Sequence, residues 1–583
     1  MMKNLAYFMK GCEILGKYNL LDESWIPVIE NESLKNKKVS LIEIFENAEK
    51  YKGLAGDTKT QDFAMTRLLL AVLQTVFSRF DYDGKPHPGI VLDEKFMQVE
   101  DVDEDYLDEE YTESLEKTWK KLWESKKFPK IISDYLRMWE DHFYFIDDKY
   151  PFYQVRKEEI DGSKINKANP SSISGKNINR MISESGNKVA LFSPKYDKGK
   201  NKEILKEDEA LRWLLTFQAY SGLSDKVIFG KEKYEIPNSK GWLFDIGGIY
   251  FEANNLFDTL VLNLILPNPI QEYIGIVEKP CWELDSSEII ANYLSYRDPD
   301  NLAELYTNWS RAIYIDSEKD FNDAFNFEIV KIPEINHLDA FLEPMTLWRL
   351  DTNGPEKDKF KPKKHNSGEA LWRSFGTIAN ISDDNNEVKA PGLIEYVNKR
   401  KEEIGEYNLI IKSISMKDDG NATSWVPVDE IFDSLAIKEE VLTDIDKEGW
   451  VPLIDSEVNL AKKVVGGIYG YFISDLMTVR NDKSKDFKKQ KVEELYYKLN
   501  DPFKDWLASI NKEDEKNKKI REWRVTLKSL AINDAREMVS QANTRDYRGI
   551  EKDGKIINIA TIYNKFINIL NKTLRIGGEN DKS

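Results

Sequence analysis

Four histidines, His87, His142, His337 and His365, are the side chains best suited to metal binding, and their spacing argues against it. No histidine lies three or four residues from another histidine or from a cysteine, the interval at which a helix turns two ligands toward one metal. The densest acidic run spans Glu100 to Glu110 and includes Asp101 and Asp103. Without a paired histidine or a phosphate-cradling loop, it reads better as a solvated face than as a metal centre. There is no G-x-x-x-x-G-K-[ST] loop for a nucleotide and no G-x-S-x-G elbow for a serine nucleophile. The expectation is a chain with no catalytic residues, no metal and no cofactor.

What the sequence offers instead is glycine and lysine in polar loops. Ser221, Gly222, Leu223 and Lys226 lead into Gly230 and Lys231, and Gly420, Asn421 and Ala422 lie in the run Lys417 to Ser424. Lys195, Lys198, Lys200, Lys202 and Lys206 crowd one segment, and Lys357, Lys359, Lys361, Lys363 and Lys364 another. A glycine removes the Cβ that would hold a backbone N–H away from a phosphate or a base edge. Each loop also reads as an ordinary polar turn, Asp419-Gly420-Asn421 most of all. Lys plus Arg number 84 against 102 Asp plus Glu, a net charge of −18, so the molecule as a whole repels polyanions. Any nucleic-acid contact must use a local basic strip, within a Debye length of about 8 Å.

These loops need a scaffold, and 583 residues with 41% hydrophobic and 12% aromatic content supply more than one core. A helical pattern runs from Val39 to Phe80, broken by turn residues around Gly56. A helix ending in strand-like runs is expected from Tyr135 to Tyr153, a helix from Glu207 to Tyr220, alternation from Trp242 to Tyr250, and a helix from Asn255 to Leu266. Beyond Ser456 four apolar stripes follow at helical spacing, through Ala461 to Val479, Val492 to Phe503, Ile520 to Ala535 and Ile557 to Leu574. Small Gly466 and Gly467 suggest close helix packing. The fold class expected is mixed α+β: a large irregular α/β domain over residues 1–435, then an antiparallel four-helix bundle over 436–583. Cys12 and Cys281 form no disulfide framework. No apolar run reaches the ~18 to 20 residues of a membrane span, and the opening residues lack a signal-peptide core. A cytoplasmic location is expected.

Several blocks, in order, resemble the CasA family, the large subunit of the type I-E CRISPR surveillance complex Cascade. They are Asn19-Leu-Leu-Asp-Glu-Ser-Trp-Ile-Pro-Val28, the Phe143 to Gln154 run with Pro151-Phe-Tyr-Gln154, Ser185 to Pro194, Leu215-Thr-Phe-Gln-Ala-Tyr220, Gly241 to Leu264, and Glu343-Pro-Met-Thr-Leu-Trp348. The resemblance implies a non-catalytic subunit that recognises the protospacer-adjacent motif in double-stranded DNA and helps open the duplex for crRNA pairing. It further implies contacts with crRNA, with the crRNA-bound backbone and small subunits, and with a nuclease-helicase recruited after R-loop formation. By the same resemblance, Ser221, Gly222, Leu223, Lys226, Gly230 and Lys231 form a minor-groove loop, and Gly420, Asn421 and Ala422 a wedge at the first base pair beyond the motif. Phe192, Ser193, Lys195, Lys198 and Lys200 form a crRNA- and DNA-contact loop, and Lys331 is a further DNA contact. Two other readings are open: a scaffold without DNA readout, and a metal-dependent nuclease using the acids at 101 to 110.

Overall fold

The computed structural model describes residues 18–184, 192, 203–222, 226–235, 239–379, 387–421, 425–552 and 554–575. The chain divides into two compact units. The first holds Met1–His365, Pro391–Tyr396 and Lys412–Phe432; the second holds Asn366–Ala390, Val397–Ile411 and Asp433–Ser583.

In the first unit, small sheets and short helices surround one long helix, Lys59–Arg79, opened by the Thr58 side chain accepting from the Gln61 amide. Every residue from Thr60 to Arg79 is buried, so this helix has no solvent face and its polar side chains must find partners inside. They do. Arg67 donates to both carboxylate oxygens of Glu343 at 2.9 and 2.8 Å, and Arg79 to both of Glu283 at 2.7 and 2.8 Å. The EPMT block thus carries the counter-ion of the central helix. Trp25, fully buried, donates its indole N–H to the Leu20 carbonyl at 3.0 Å, which fixes the Asn19 to Val28 block as core.

The strand Ile26–Glu30 lies between Asn36–Val39 and Tyr51–Leu54, all antiparallel. This refines the expectation of two helices from Val39 to Phe80 separated near Gly56: the first is only Leu41–Glu46, and a strand precedes the long second one. Pairing with Val28 and Ile29 captures Leu54 and Gly53 as strand, so tertiary hydrogen bonding overrides local periodicity. Similarly, Trp242–Phe244 is a tight turn of helix, and only Gly248–Glu252 is strand. The helix Ile131–Met138 ends well before the Phe143 to Gln154 run, which makes isolated bridges at Tyr144 rather than a strand. The helix Leu256–Asn263 is capped by Asn255 and stops short of the expected end at Leu266.

Two further sheets carry the loops of interest. In one, Asn326–Lys331 is the central strand, flanked by Ser171–Ser174 and Arg311–Tyr314, with Ile329 opposite Ile313. In the other, Asn408–Asp418 lies between Gly248–Glu252 and Pro427–Lys438.

In the second unit, helical segments Trp450–Lys462, Lys463–Tyr469 and Gly470–Arg480 join into one rod, followed by Lys485–Ala508, Lys516–Ser540 and Ile559–Leu574. Successive helices pack on one another, and the last returns to the first, giving the helical bundle that the apolar stripes predict. The first helix starts at Trp450, earlier than the stripe suggests, because the Asp444 carboxylate accepts the Trp450 amide at 2.8 Å. Trp372 stacks on Phe503 at 4.5 Å, and Phe503 meets the edge of Trp523 at 5.0 Å. Gly466 and Gly467 do not mediate close packing: they lie in a widened π-helical turn, and a Cβ on Gly467 would meet nothing within 4 Å. The close approach is at Gly470, where a Cβ would sit 3.2 Å from Lys488 Cε. No described helix is long and apolar enough to cross a membrane.

Candidate nucleic-acid interface

The helix Glu207–Tyr220 ends where Ser221 donates its amide to the Phe217 carbonyl at 2.9 Å. The Gly241 amide donates to the Ser221 carbonyl at 2.9 Å, so the two ends of the intervening loop are pinned together. The pin is Arg311, fully buried on the strand Arg311–Tyr314. Its guanidinium donates to the Gly222 carbonyl at 2.8 Å, to Ser239 Oγ at 2.7 Å and to the Ser310 carbonyl at 2.7 Å, and it pairs with Glu184. Gln218 Oε1 accepts the amides of Ser310 and Arg311 at 2.8 and 3.0 Å, tying the helix to the same strand. A buried guanidinium with this many acceptors is a rigid fastener.

Beyond the pin the loop alternates between fixed and exposed residues. Val227, Ile228 and Phe229 are buried, while Lys226, Gly230 and Lys231 are exposed. Ile228 bridges Lys331 in parallel, the Lys331 amide donates to the Val227 carbonyl at 2.9 Å, and Phe229 bridges Ile165. Gly230 takes φ +68° with no atom within 4 Å of where a Cβ would be. It is therefore an open turn, and close approach from outside is sterically free. Lys331 is brought beside this loop through the backbone. Burial, with the Arg311 charge nearby, lowers its pKa from the usual lysine value.

The turn at Gly420 and Asn421 is built by two carboxylates. Asp418 accepts the Gly420 amide at 2.9 Å, and Asp419 accepts the amides of Asn421 at 3.1 Å and Val426 at 3.3 Å. Gly420 adopts φ +68°, as a turn of this shape requires, and both Gly420 and Asn421 are exposed. Trp425 leaves the turn in the left-handed region at φ +42° and donates its amide to the Asn421 carbonyl at 2.8 Å.

The two loops meet. An ideal Cβ on Gly222 would lie 2.0 Å from the Trp425 carbonyl oxygen, so only glycine fits against that peptide. Around the contact, Lys240 Nζ lies 5.8 Å from the Trp425 ring and pairs with Asp245, and Lys364 reaches Asp418 at 3.2 Å. Burial raises the Asp245 carboxyl, but the Lys240, His337 and Lys364 charges outweigh it and hold the pKa below the ordinary carboxylate value.

Other candidates fall elsewhere. Phe192 is buried, and its amide donates to the Arg180 carbonyl at 3.1 Å rather than to either loop. Ser193, Lys195, Lys198, Lys200, Leu223 and Ala422 lie outside the described residues. Of the second lysine cluster, Lys359 pairs with Asp339 at 2.9 Å and Lys361 with Asp351 at 2.5 Å, which neutralises much of it. The acidic run is mostly exposed, with Asp101 accepting the Val277 amide at 2.9 Å and Asp103 capping a short helix. Among the described residues no group of His, Cys, Asp and Glu could hold a metal. His87 bonds the Phe77 carbonyl, His142 stacks on Tyr150 at 3.9 Å, and His337 stacks on Trp242 at 4.2 Å. Burial pushes His142 down to about 4 and the Cys281 thiol up to about 12, so neither is a poised acid, base or nucleophile near neutrality. Arg311 and Trp425 escaped sequence reasoning. A tryptophan just after an Asp-Gly-Asn turn was the one available signal.

A family model described as CRISPR-associated protein Cse1 matches residues 19–533. The CRISPR-associated protein CasA/Cse1 of Thermus thermophilus is 28% identical over 372 residues, covering 62% of this chain and 60% of that relative, less than two thirds of its length. Thermobifida fusca Cse1 has the same fold at TM-score 0.73 and 21% identity, with 96% of this chain and 98% of that one covered. Acidimicrobium ferrooxidans Cse1 superposes at TM-score 0.67 and 20% identity, over 96% and 98%. A chain of a CRISPR RNA-guided surveillance complex does so at TM-score 0.63 and 11% identity, over 95% and 99%.

Proposed function

The chain belongs to the CRISPR-associated Cse1 family, and on that premise we propose that it is the large subunit of an RNA-guided Cascade complex, reading a short duplex motif and starting strand separation. In this role guide pairing supplies sequence specificity, while protein reads only the adjacent motif and stabilises the first unpaired step. The observation that carries the reading is the meeting of two loops, far apart in sequence, at Gly222 and Trp425, each with an exposed glycine-containing turn nearby.

Lys226 and Lys231 supply phosphate contacts, and Gly230, open on its outer side, is where backbone approaches the minor groove. Lys331, beside the same segment, adds positive charge. Minor-groove readout distinguishes mainly A·T from G·C, so the accepted motifs form a set rather than one sequence. Gly420 and Asn421, with Ala422, block re-pairing after the first base pair opens, offsetting a cost of about a few kcal/mol. The segment from Phe192 through Ser193, Lys195, Lys198 and Lys200 contacts crRNA or DNA, and the remaining partners are the Cascade backbone and small subunits and a recruited nuclease-helicase. The role requires no catalytic group, and the histidines and Cys281 are occupied structurally.

The test is duplex binding by crRNA-loaded complex with and without this subunit, on targets differing only at the adjacent motif. Motif discrimination that appears only with the subunit is expected. Equal discrimination without it leaves a scaffold.

A further inference from the structure

We propose that Gly222 and Trp425 form a mechanical coupler, through which the motif-reading loop and the wedge turn move as one body. The inference rests on the reading of those loops given above and deepens it: the contact that brings them together also couples their motion.

The contact is backbone against backbone. A Cβ at Gly222 would meet the Trp425 carbonyl oxygen at 2.0 Å and its carbonyl carbon at 2.9 Å, and no rotamer change can relieve that. Gly222 therefore serves as a seat for the Trp425 peptide, and the glycine left free for an outside partner is Gly230, with open space around it.

Both sides of the seat are held. Gly222 cannot recede, because its carbonyl is fastened by buried Arg311, which also holds Ser239 at the far end of the loop. Trp425 cannot relax independently either. It sits at φ +42°, where a bulky side chain is uncommon, and its amide is tied to Asn421 at 2.8 Å. Val426, next to it, is tied to Asp419, which also holds the Asn421 amide. A push on the loop is thus delivered to the Trp425 peptide and on to Asn421, since packed contacts transmit displacement rather than absorb it. The coupler makes wedge position depend on loop position, so a duplex with an accepted motif sets the wedge at the next base pair.

Two measurements test this. Spectroscopic labels at exposed Lys226 and Asn421 report the loop-to-wedge distance in the free subunit. A single narrow distribution is expected for the parent chain, and a broadened or shifted one for Gly222→Ala. In the assembled complex, a fluorescent base analogue at the first pair beyond the motif reports opening. Gly222→Ala is expected to slow opening of an intact duplex by about tenfold. On a target already mismatched at that pair it should act at close to the parental rate, which a merely misfolded subunit would not. If Gly222→Ala does not enter the complex, Asp419→Ala, which removes the side-chain ties to the Asn421 and Val426 amides and leaves the seat intact, must give the same split between intact and mismatched targets. Parental distances and parental opening in these variants overturn the coupler. A parent complex that shows no motif-dependent opening overturns the loop reading instead, and the label distances in the free subunit still decide whether the contact couples.

Discussion

The two units solve the problem of buried charge differently. In the first, some ion pairs are buried on both sides: Arg67 and Glu343 are 2% and 0% exposed, Arg79 and Glu283 are 0% and 1%. In the helical unit the carboxylate is buried but its cation reaches water, as with Arg524 and Glu457 at 28% and 1%, or Arg480 and Asp546 at 23% and 0%. A bundle closes its core with apolar stripes and needs charges only at its margin. An irregular α/β unit built around an all-buried helix must pair the charges of that helix inside.

The largest difference is expected between breaking a pair buried on both sides in the first unit and a pair open to solvent on both sides in the second. Arg67→Met leaves Glu343 charged and buried and should cost ~3–5 kcal/mol in denaturant unfolding. Lys565→Met, which removes the exposed partner of Asp475, should change stability by less than ~0.5 kcal/mol. Equal losses would erase the distinction.

Next in size is acid sensitivity. Burial raises the Glu343 carboxyl, but Arg67 prevails and holds its pKa below the ordinary glutamate value. A depressed folded-state pKa contributes stability that is fully present above the unfolded value and lost as pH falls through the folded one. Unfolding monitored from neutrality downward should therefore show a loss setting in below about pH 4, reduced in Glu343→Gln. Asp546 is lowered by its hydrogen bond to Arg480 and shifts in the same direction. Because Arg480 is partly exposed, raising salt toward about 1 M should shrink its contribution and leave that of Glu343 nearly unchanged.

The contrast also explains what could be read in advance. Helical stripes such as Leu495, Leu499 and Phe503 declare themselves locally, because burial there follows a 3.6-residue period, and the bundle was legible for that reason. Periodicity failed at Tyr51–Leu54, where strand pairing decides. Gly420 and Asn421 were legible as a turn from residue type alone. Arg311, Trp425 and the Glu343 carboxylate were not legible as partners, because each meets something distant in sequence, and one sequence holds no signal for such pairs.

Glycine substitutions should give the smallest and sharpest contrast. Gly241→Ala drives a Cβ to 2.3 Å from the Ala219 carbonyl and should destabilise by ~1–3 kcal/mol. Gly467→Ala, in the bundle's open π-turn, should be neutral or stabilising by up to ~1 kcal/mol, read as a shift in the unfolding midpoint.

The most direct test places photo-crosslinkers at Lys226, Gly230 and Asn421 of the subunit in crRNA-loaded complex bound to a target duplex. Crosslinks from positions 226 and 230 to the motif, and from 421 to the first base pair beyond it, are the expected result. Crosslinks to the motif that arise only from the helical unit, or none from these three positions while the duplex is bound, would contradict the assignment of duplex reading to the first unit.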